Sequence, residues 1–141
     1  MKRVFVLVLG LVLTLSCLLS LSACTMESKI AGTYEMVSVS GTLTYNGVTT
    51  ELGEDLYDYY RITLNRDGTA LIESKGADST AKIEEEGTWE YEDDLIKLKS
   101  RPSGITVVEE MEWKDGVITY EAEQSGQGMA IKMTLILEKQ E

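Results

Sequence analysis

The feature that most constrains this sequence is a series of short β-type segments separated by tight-turn residues. After Ala31, segments rich in Val, Ile, Thr and Tyr alternate with turns such as Asn46-Gly47, Asn65-Arg66-Asp67-Gly68 and Lys114-Asp115-Gly116. Asn-Gly is a strong hairpin signal because both turn positions favour positive φ. We count eight to ten candidate strands at short, regular spacing. This pattern predicts an all-β, antiparallel up-and-down barrel, with a β-sandwich as the alternative.

The turns also set the expected limits of each element. Glu54 to Tyr59 is the one segment with helical character, because acidic residues begin it and apolar residues recur three and four positions apart. We therefore expect one short helix there. The strands are expected at residues 33–40, 41–45, 48–52, 61–64, 69–74, 81–92, 95–100, 105–113, 117–122 and 129–138.

The N-terminus has the pattern of an export segment. Met1-Lys2-Arg3 is basic, residues 4–21 are apolar, and Leu21-Ser22-Ala23 places small residues directly before Cys24. This order is typical of a cleaved signal peptide. The apolar run is long enough to span a bilayer, so an uncleaved anchor is the alternative. Cys17 fits a cleavage site poorly, because it lacks an apolar residue three positions before it.

The sequence Leu21-Ser22-Ala23-Cys24 resembles the bacterial lipobox. The resemblance implies cleavage before Cys24, acylation of its thiol, and a lipid-anchored domain at the extracytoplasmic face of the cell membrane. We therefore expect a signal peptide at residues 1–23, a short tether at 24–30 and one barrel domain at 31–141. If Cys24 carries lipid, the mature chain has no free thiol and no disulfide.

Composition limits the functions that remain. The export segment holds two of the 13 basic residues and none of the 24 acidic ones, which leaves the mature chain at a net charge of −13. Such a surface repels phosphates, so we expect no nucleic-acid partner. Histidine is absent, which excludes Ser-His-Asp and Cys-His catalysis and the usual His-based metal sites. We predict no catalytic residue, no cofactor and no resident metal, with a carboxylate-pair hydrolase as a distant alternative.

Strand alternation places two carboxylates toward the interior. Trp89 sets the inward phase of one predicted strand and Met111 that of another, and the same phases turn Glu85 and Glu109 inward. A buried carboxylate needs a partner, a water-filled cavity or a proton. One interpretation is a ligand cavity in which both recognise a cationic or hydrogen-bonding group. The ordinary alternative, which the sequence favours, is a solvated rim, or a bulge near Glu84-Glu85-Glu86 that turns the side chain outward.

Aromatic side chains complete the candidate site. Tyr57, Tyr59 and Tyr60 cluster beside the predicted helix, where they either form a lid over the barrel mouth or simply pack that segment down. The candidate ligand-binding residues are the two inward-phase carboxylates and the aromatic residues: Glu85, Glu109, Tyr57, Tyr59, Tyr60, Trp89, Trp113 and Tyr120.

Three short motifs recur across most of the mature chain: Gly32-Thr33-Tyr34, Gly87-Thr88-Trp89 and the turn from Leu64 to Ala70. Together they resemble bacterial lipocalin-like lipoprotein domains, which are calycin-type barrels. The resemblance implies a central cavity for a small, often apolar ligand. Two features depart from the pattern: Tyr34 stands where Trp is usual, and the last strand offers lysines where animal lipocalins have an arginine.

The sequence therefore predicts a membrane-anchored, non-catalytic barrel that binds a small amphipathic or hydrophobic ligand. The alternative is an envelope protein-interaction or structural lipoprotein that has no cavity and uses its acidic face or an exposed edge strand. In that alternative the partner is an envelope protein rather than a small molecule.

Overall fold

Nine strands and one short helix make up residues 25–141, the part of the chain that the computed structural model describes. The helix, α1, is Met26–Ile30. The strands are β1 Gly32–Tyr45, β2 Val48–Leu52, β3 Tyr57–Leu64, β4 Thr69–Gly76, β5 Ile83–Glu92, β6 Leu95–Ser100, β7 Val107–Lys114, β8 Val117–Gly126 and β9 Met129–Lys139. The predicted export segment, Leu21-Ser22-Ala23 and Cys24 lie outside the described residues.

The strands close into an antiparallel barrel. Strands β3 to β9 pair in chain order, and β1 pairs with β3 on one side and with β9 on the other. Eight strands thus form the ring, and β2 is an extra strand that pairs only with the second half of β1. The predicted up-and-down antiparallel barrel is confirmed.

Strand β1 is one long, bent strand where the sequence predicted two. Its pairing with β9 shifts between Met36 and Ser38, which marks a bulge at Val37. Farther along, Gly41 has a φ of +147°, and a Cβ atom there would lie 2.0 Å from the Lys132 carbonyl oxygen. A glycine is therefore required where β1 bends closely over β9.

One end of the barrel, here called the closed end, is sealed by α1. Ile30 is fully buried, and its carbonyl oxygen accepts a 2.5 Å hydrogen bond from the Tyr34 hydroxyl. The same hydroxyl accepts a 3.0 Å bond from Trp113 Nε1. The buried core comprises Ile30, Tyr34, Val39, Ile62, Leu64, Ala70, Ile72, Trp89, Ile96, Leu98, Met111, Ile118, Leu135 and Leu137. Residues 25–141 therefore contain a complete ring and its core, so we treat them as a folding unit.

The helix lies in a different place from the one predicted. Glu54–Leu56 forms only a 3-10 turn, and Tyr57 already begins β3. The tyrosines favour a strand because their side chains suit a pleated, half-buried surface and β4 supplies a pairing partner. The helix instead forms within the expected tether, where Ile30 enters the core. None of the helical segments in residues 25–141 has the length and apolarity that a membrane crossing needs.

The barrel wall is open between β7 and β8. These strands pair only at Glu112–Lys114 with Val117–Thr119, whereas β7 stays paired with β6 back to Val107 and β8 with β9 out to Gly126. Extending the register by two residues would place Glu110 directly opposite Glu121. Like charges in that position are unfavourable for strand pairing.

Candidate functional site

Five of the predicted site residues gather inside the half of the barrel away from α1, here called the open half. Four of them lie opposite a buried residue of the neighbouring strand, and directly opposed side chains share a face of the sheet; the fifth, Tyr57, packs against Tyr60. Glu85 is opposite Ile72, Glu109 is opposite Leu98, Tyr120 is opposite Leu135, and Tyr60 is opposite Ser74. We call Tyr57, Tyr60, Glu85, Glu109 and Tyr120 the interior polar cluster.

Glu85 faces inward because β5 is regular. Its pairing with β4 runs without a shift from Thr69–Thr88 to Ser74–Ile83, so the bulge that would have turned Glu85 outward does not form. The side chain is half-buried, and its Oε1 atom is inaccessible to solvent and has no hydrogen-bond partner. A buried acceptor without a donor costs free energy, so this atom is where a ligand donor would contribute most.

Glu109 is tied to the tyrosines. The Tyr120 hydroxyl donates a 2.6 Å hydrogen bond to Glu109 Oε1. Burial, together with that bond to a carboxylate, raises the pKa of Tyr120 above the ordinary tyrosine value. Burial also raises the pKa of Tyr60, and the charges of Glu109 and Glu85 raise it further. Tyr60 packs edge-on against Tyr57, with ring centroids 5.5 Å apart and planes at 67°. The cluster therefore offers protonated phenols beside carboxylates.

An open cleft lies at the gap in the wall. It has a volume of about 890 Å³ and is bordered on its inner side by Glu109, Tyr120, Ala122 and Met133 and on its outer side by Glu110, Glu121 and Glu123. A volume of several hundred Å³ is typical of small-molecule sites. Ala122 and Met133 leave room there, since one is small and the other is flexible.

Exposed apolar residues surround the open end. They sit at strand ends and in the loops of that end: Tyr45, Val48, Ile83, Ile105, Val108 and Met129. Ile105, expected to begin a strand, lies in the loop before β7 with 70% of its surface exposed.

Three predicted site residues do not join the cluster. Trp89 and Trp113 face inward near the closed end, where Trp89 Nε1 donates a 2.8 Å bond to the Asn65 carbonyl. Tyr59 points away from the interior, because it alternates with the inward Tyr60 and lies opposite Lys75 on the outer face. The two tryptophans hold the fold together, and Tyr59 belongs to the outer surface.

Sequence reasoning missed Ser74, which is buried inside the barrel opposite Tyr60. The alternation of Ala70, Ile72 and Ser74 along β4 was the signal that could have found it. The same alternation, applied to β5, β7 and β8, indicated Glu85, Glu109 and Tyr120, whereas Tyr57 and Tyr60 were chosen because they cluster beside the predicted helix.

Comparison with known proteins gives one match. A family model described as a lipocalin-like domain matches residues 30–125, which extend from the end of α1 through most of β8. No curated protein and no solved structure matches the chain significantly.

Proposed function

Because the chain belongs to the lipocalin-like domain family, we propose that it is a non-catalytic binding protein whose open half holds a small amphipathic molecule. Lipocalin-like domains are generally binding domains, and a barrel of about eight strands has room for one small ligand. The family and the barrel support binding in general, and the side chains of the open half indicate which kind of molecule fits.

The observation that carries the proposal is the inward Glu85 carboxylate with one buried, unpartnered oxygen. A ligand that donates a hydrogen bond or carries a positive charge would satisfy that oxygen. Glu109 accepts one bond from Tyr120 and keeps its second oxygen for another donor. Tyr57 and Tyr60 offer ring faces to a cation, an interaction that strengthens when the cation is desolvated. The polar part of the ligand therefore belongs in the interior polar cluster.

The apolar part of the ligand has a complementary surface. Ala122 and Met133 line the cleft beside Tyr120, and exposed Ile83 and Met129 stand at the open end. Burying an alkyl or aromatic group there gains about 25 cal/mol per Å² of apolar surface removed from water. An organic amine with an apolar body matches both surfaces.

The first test is native mass spectrometry of residues 25–141 exported in the chain's own host. We expect an added mass that is lost on denaturation, and its fragmentation gives the ligand class. An apo mass under conditions that preserve the fold counts against the proposal. A fluorescent alkylammonium probe then provides an affinity for comparing variants.

A matched pair of substitutions locates the site. Glu85→Gln keeps the shape and removes the charge inside the barrel, so we expect the affinity for the probe to fall by roughly 10-fold or more, in line with loss of a charge-assisted hydrogen bond. Glu86→Gln makes the same change on the outer face, where Glu86 is exposed, and should leave the affinity unchanged. Equal effects from the two substitutions would refute an interior site.

We also propose that Cys24 anchors the domain to the outer face of the cell membrane, as its resemblance to a lipobox implies. The test is metabolic labelling with a clickable fatty acid in the bacterial host. We expect Cys24→Ser to abolish labelling and Cys17→Ser to leave it intact. Label that persists in Cys24→Ser, or that is lost in Cys17→Ser, would contradict this assignment.

A further inference from the structure

The two strands that border the gap in the wall both present unpaired main-chain edges. Residues 107–111 of β7 and 120–126 of β8 each have a partner strand on one side only. In the part of the chain that the structure describes, no backbone hydrogen bond from a turn or loop reaches the other side of either stretch. An unpaired edge can accept an added strand. Here two such edges face one cleft.

The same cleft is strongly acidic. Its border includes Glu109, Glu110, Glu121 and Glu123 and no lysine or arginine. Within residues 25–141 none of these four carboxylates belongs to an ion pair closer than 4.0 Å. Lys97 on β6 lies opposite Glu110, and Lys132 on β9 lies opposite Glu123. Both lysines are on the side of the glutamate's strand that faces away from the gap. The charge at the gap therefore favours a basic occupant.

We propose that the gap between β7 and β8 binds an extended basic peptide segment as an added strand. The main chain of the segment would pair with residues 107–111 or 120–126. Its lysine or arginine side chains on the outer side would lie beside Glu110, Glu121 and Glu123, and its other side chains would face Val107, Ala122 and Met133. This proposal rests on the unpaired edges and the acidic border rather than on the interior ligand, although both occupants would contact Ala122 and Met133.

Other occupants fit less well. A second copy of this chain brings the same acidic strands, and a net charge of −13 on the mature chain opposes self-association. A metal ion would need several converging ligands, and within residues 25–141 no three carboxylates come close enough to provide them. Complementary charge and unpaired amides together select a peptide with alternating basic residues.

The test uses residues 25–141 and a ten-residue alternating Lys-Val peptide with blocked ends. We expect binding at moderate salt and slower hydrogen exchange of amides in residues 107–111, 120–126 or both. The same Lys-Val peptide methylated at every backbone nitrogen has the same charge but lacks the amide donors needed for a ladder. It should bind at least 10-fold more weakly and protect no amide. Equal binding by the two peptides, or no amide protection by Lys-Val, would overturn the proposal.

Substitutions then separate pairing from general charge attraction. Glu110→Gln and Glu121→Gln should each weaken Lys-Val binding by about 2- to 5-fold, as expected for a partly exposed ion pair. Glu138→Gln removes an exposed carboxylate at the other end of β9 and should have no effect. A uniform loss in all three variants would show that only net charge matters and would overturn the proposal.

Glu110→Lys provides a structural test of the gap itself. A lysine there would face Glu121 if the strands joined, so we expect β7 and β8 to pair further in the free protein. The amides of residues 107–111 should then be protected without peptide, and Lys-Val should no longer bind. If Lys-Val instead binds the variant as it binds the parent, the gap is not the peptide site. A third outcome is that Lys-Val binds neither the parent protein nor the Glu110→Lys variant, while the alkylammonium probe enters the variant more slowly than the parent. In that case the gap is the entrance for the interior ligand, and the peptide proposal fails.

Discussion

Replacing Glu85 with methionine should stabilise the empty barrel while removing its binding function. Methionine has nearly the same length and is flexible enough to fill the space beside Ile72 on β4. The methionine side chain contains no oxygen, so no buried acceptor remains without a hydrogen-bond donor. Under the proposed function, the Glu85 carboxylate lowers the stability of the empty barrel and is retained for the ligand.

The expected size of the effect follows from the environment of the side chain. A buried polar group without a partner costs about 1–3 kcal/mol. Glu85 is half-buried and only one of its oxygens is shielded, so we expect the lower part of that range. The free energy of unfolding of Glu85→Met should exceed that of the parent by about 1–2 kcal/mol, or roughly 4–8 °C in melting temperature for a domain of this size.

Urea unfolding of residues 25–141, followed by tryptophan fluorescence, measures this difference. The midpoint should rise with an unchanged denaturant slope, which would show that the two proteins expose the same surface on unfolding. Glu86→Met is the matched control on the outer face and should change stability by less than about 0.5 kcal/mol. A Glu85→Met variant that is less stable than the parent would refute the reading that this carboxylate is unsatisfied.

Three further predictions concern packing and ionisation. Tyr34→Phe leaves the Trp113 Nε1 donor and the Ile30 carbonyl without their partner, so calorimetry should show a loss of about 2–3 kcal/mol. Gly41→Ala forces a Cβ atom against the main chain of β9 and should cost more than about 2 kcal/mol in urea unfolding; no loss would contradict the close approach. Because the pKa of Tyr60 is raised in the folded state, its ultraviolet titration should occur above the ordinary value of about 10, and stability should fall as pH rises past that value.

The sequence predicted those parts of the fold that depend on local chemistry. Asn46-Gly47 and Lys114-Asp115-Gly116 form hairpin turns because their residues tolerate positive φ, as Asn46, Gly47, Asp115 and Gly116 do here. Alternation along β5 and β7 placed Glu85 and Glu109 inward, although the solvated rim or bulge was the favoured interpretation. The turn predictions rest on the backbone preferences of the turn residues. The inward direction of the two glutamates rests on the two-residue period with which side chains alternate along a strand.

The remaining features depend on contacts between distant residues. The extra residue at Asp58, which lets Tyr57 and Tyr60 both face inward, is visible only in the pairing of β3 with β4. The gap between β7 and β8 lies where Glu110 and Glu121 would meet, across two strands whose own patterns are ordinary. Helix α1 forms because Ile30 fits into the closed end, which is built by strands later in the chain. Neither alternation nor turn residues carry that information.

The pairing of β1 with β9 also determines when this protein can finish folding. The first strand of the ring pairs with the last over Tyr34–Lys139 to Tyr45–Met129, so its outer edge has no permanent partner until the end of the chain has been made. Pairing of such distant segments is slow, because a long loop must close before the contact forms. During synthesis β1 and β2 therefore wait as an open-edged hairpin, and a chain that stops before β9 leaves an unclosed sheet prone to aggregate rather than a smaller barrel.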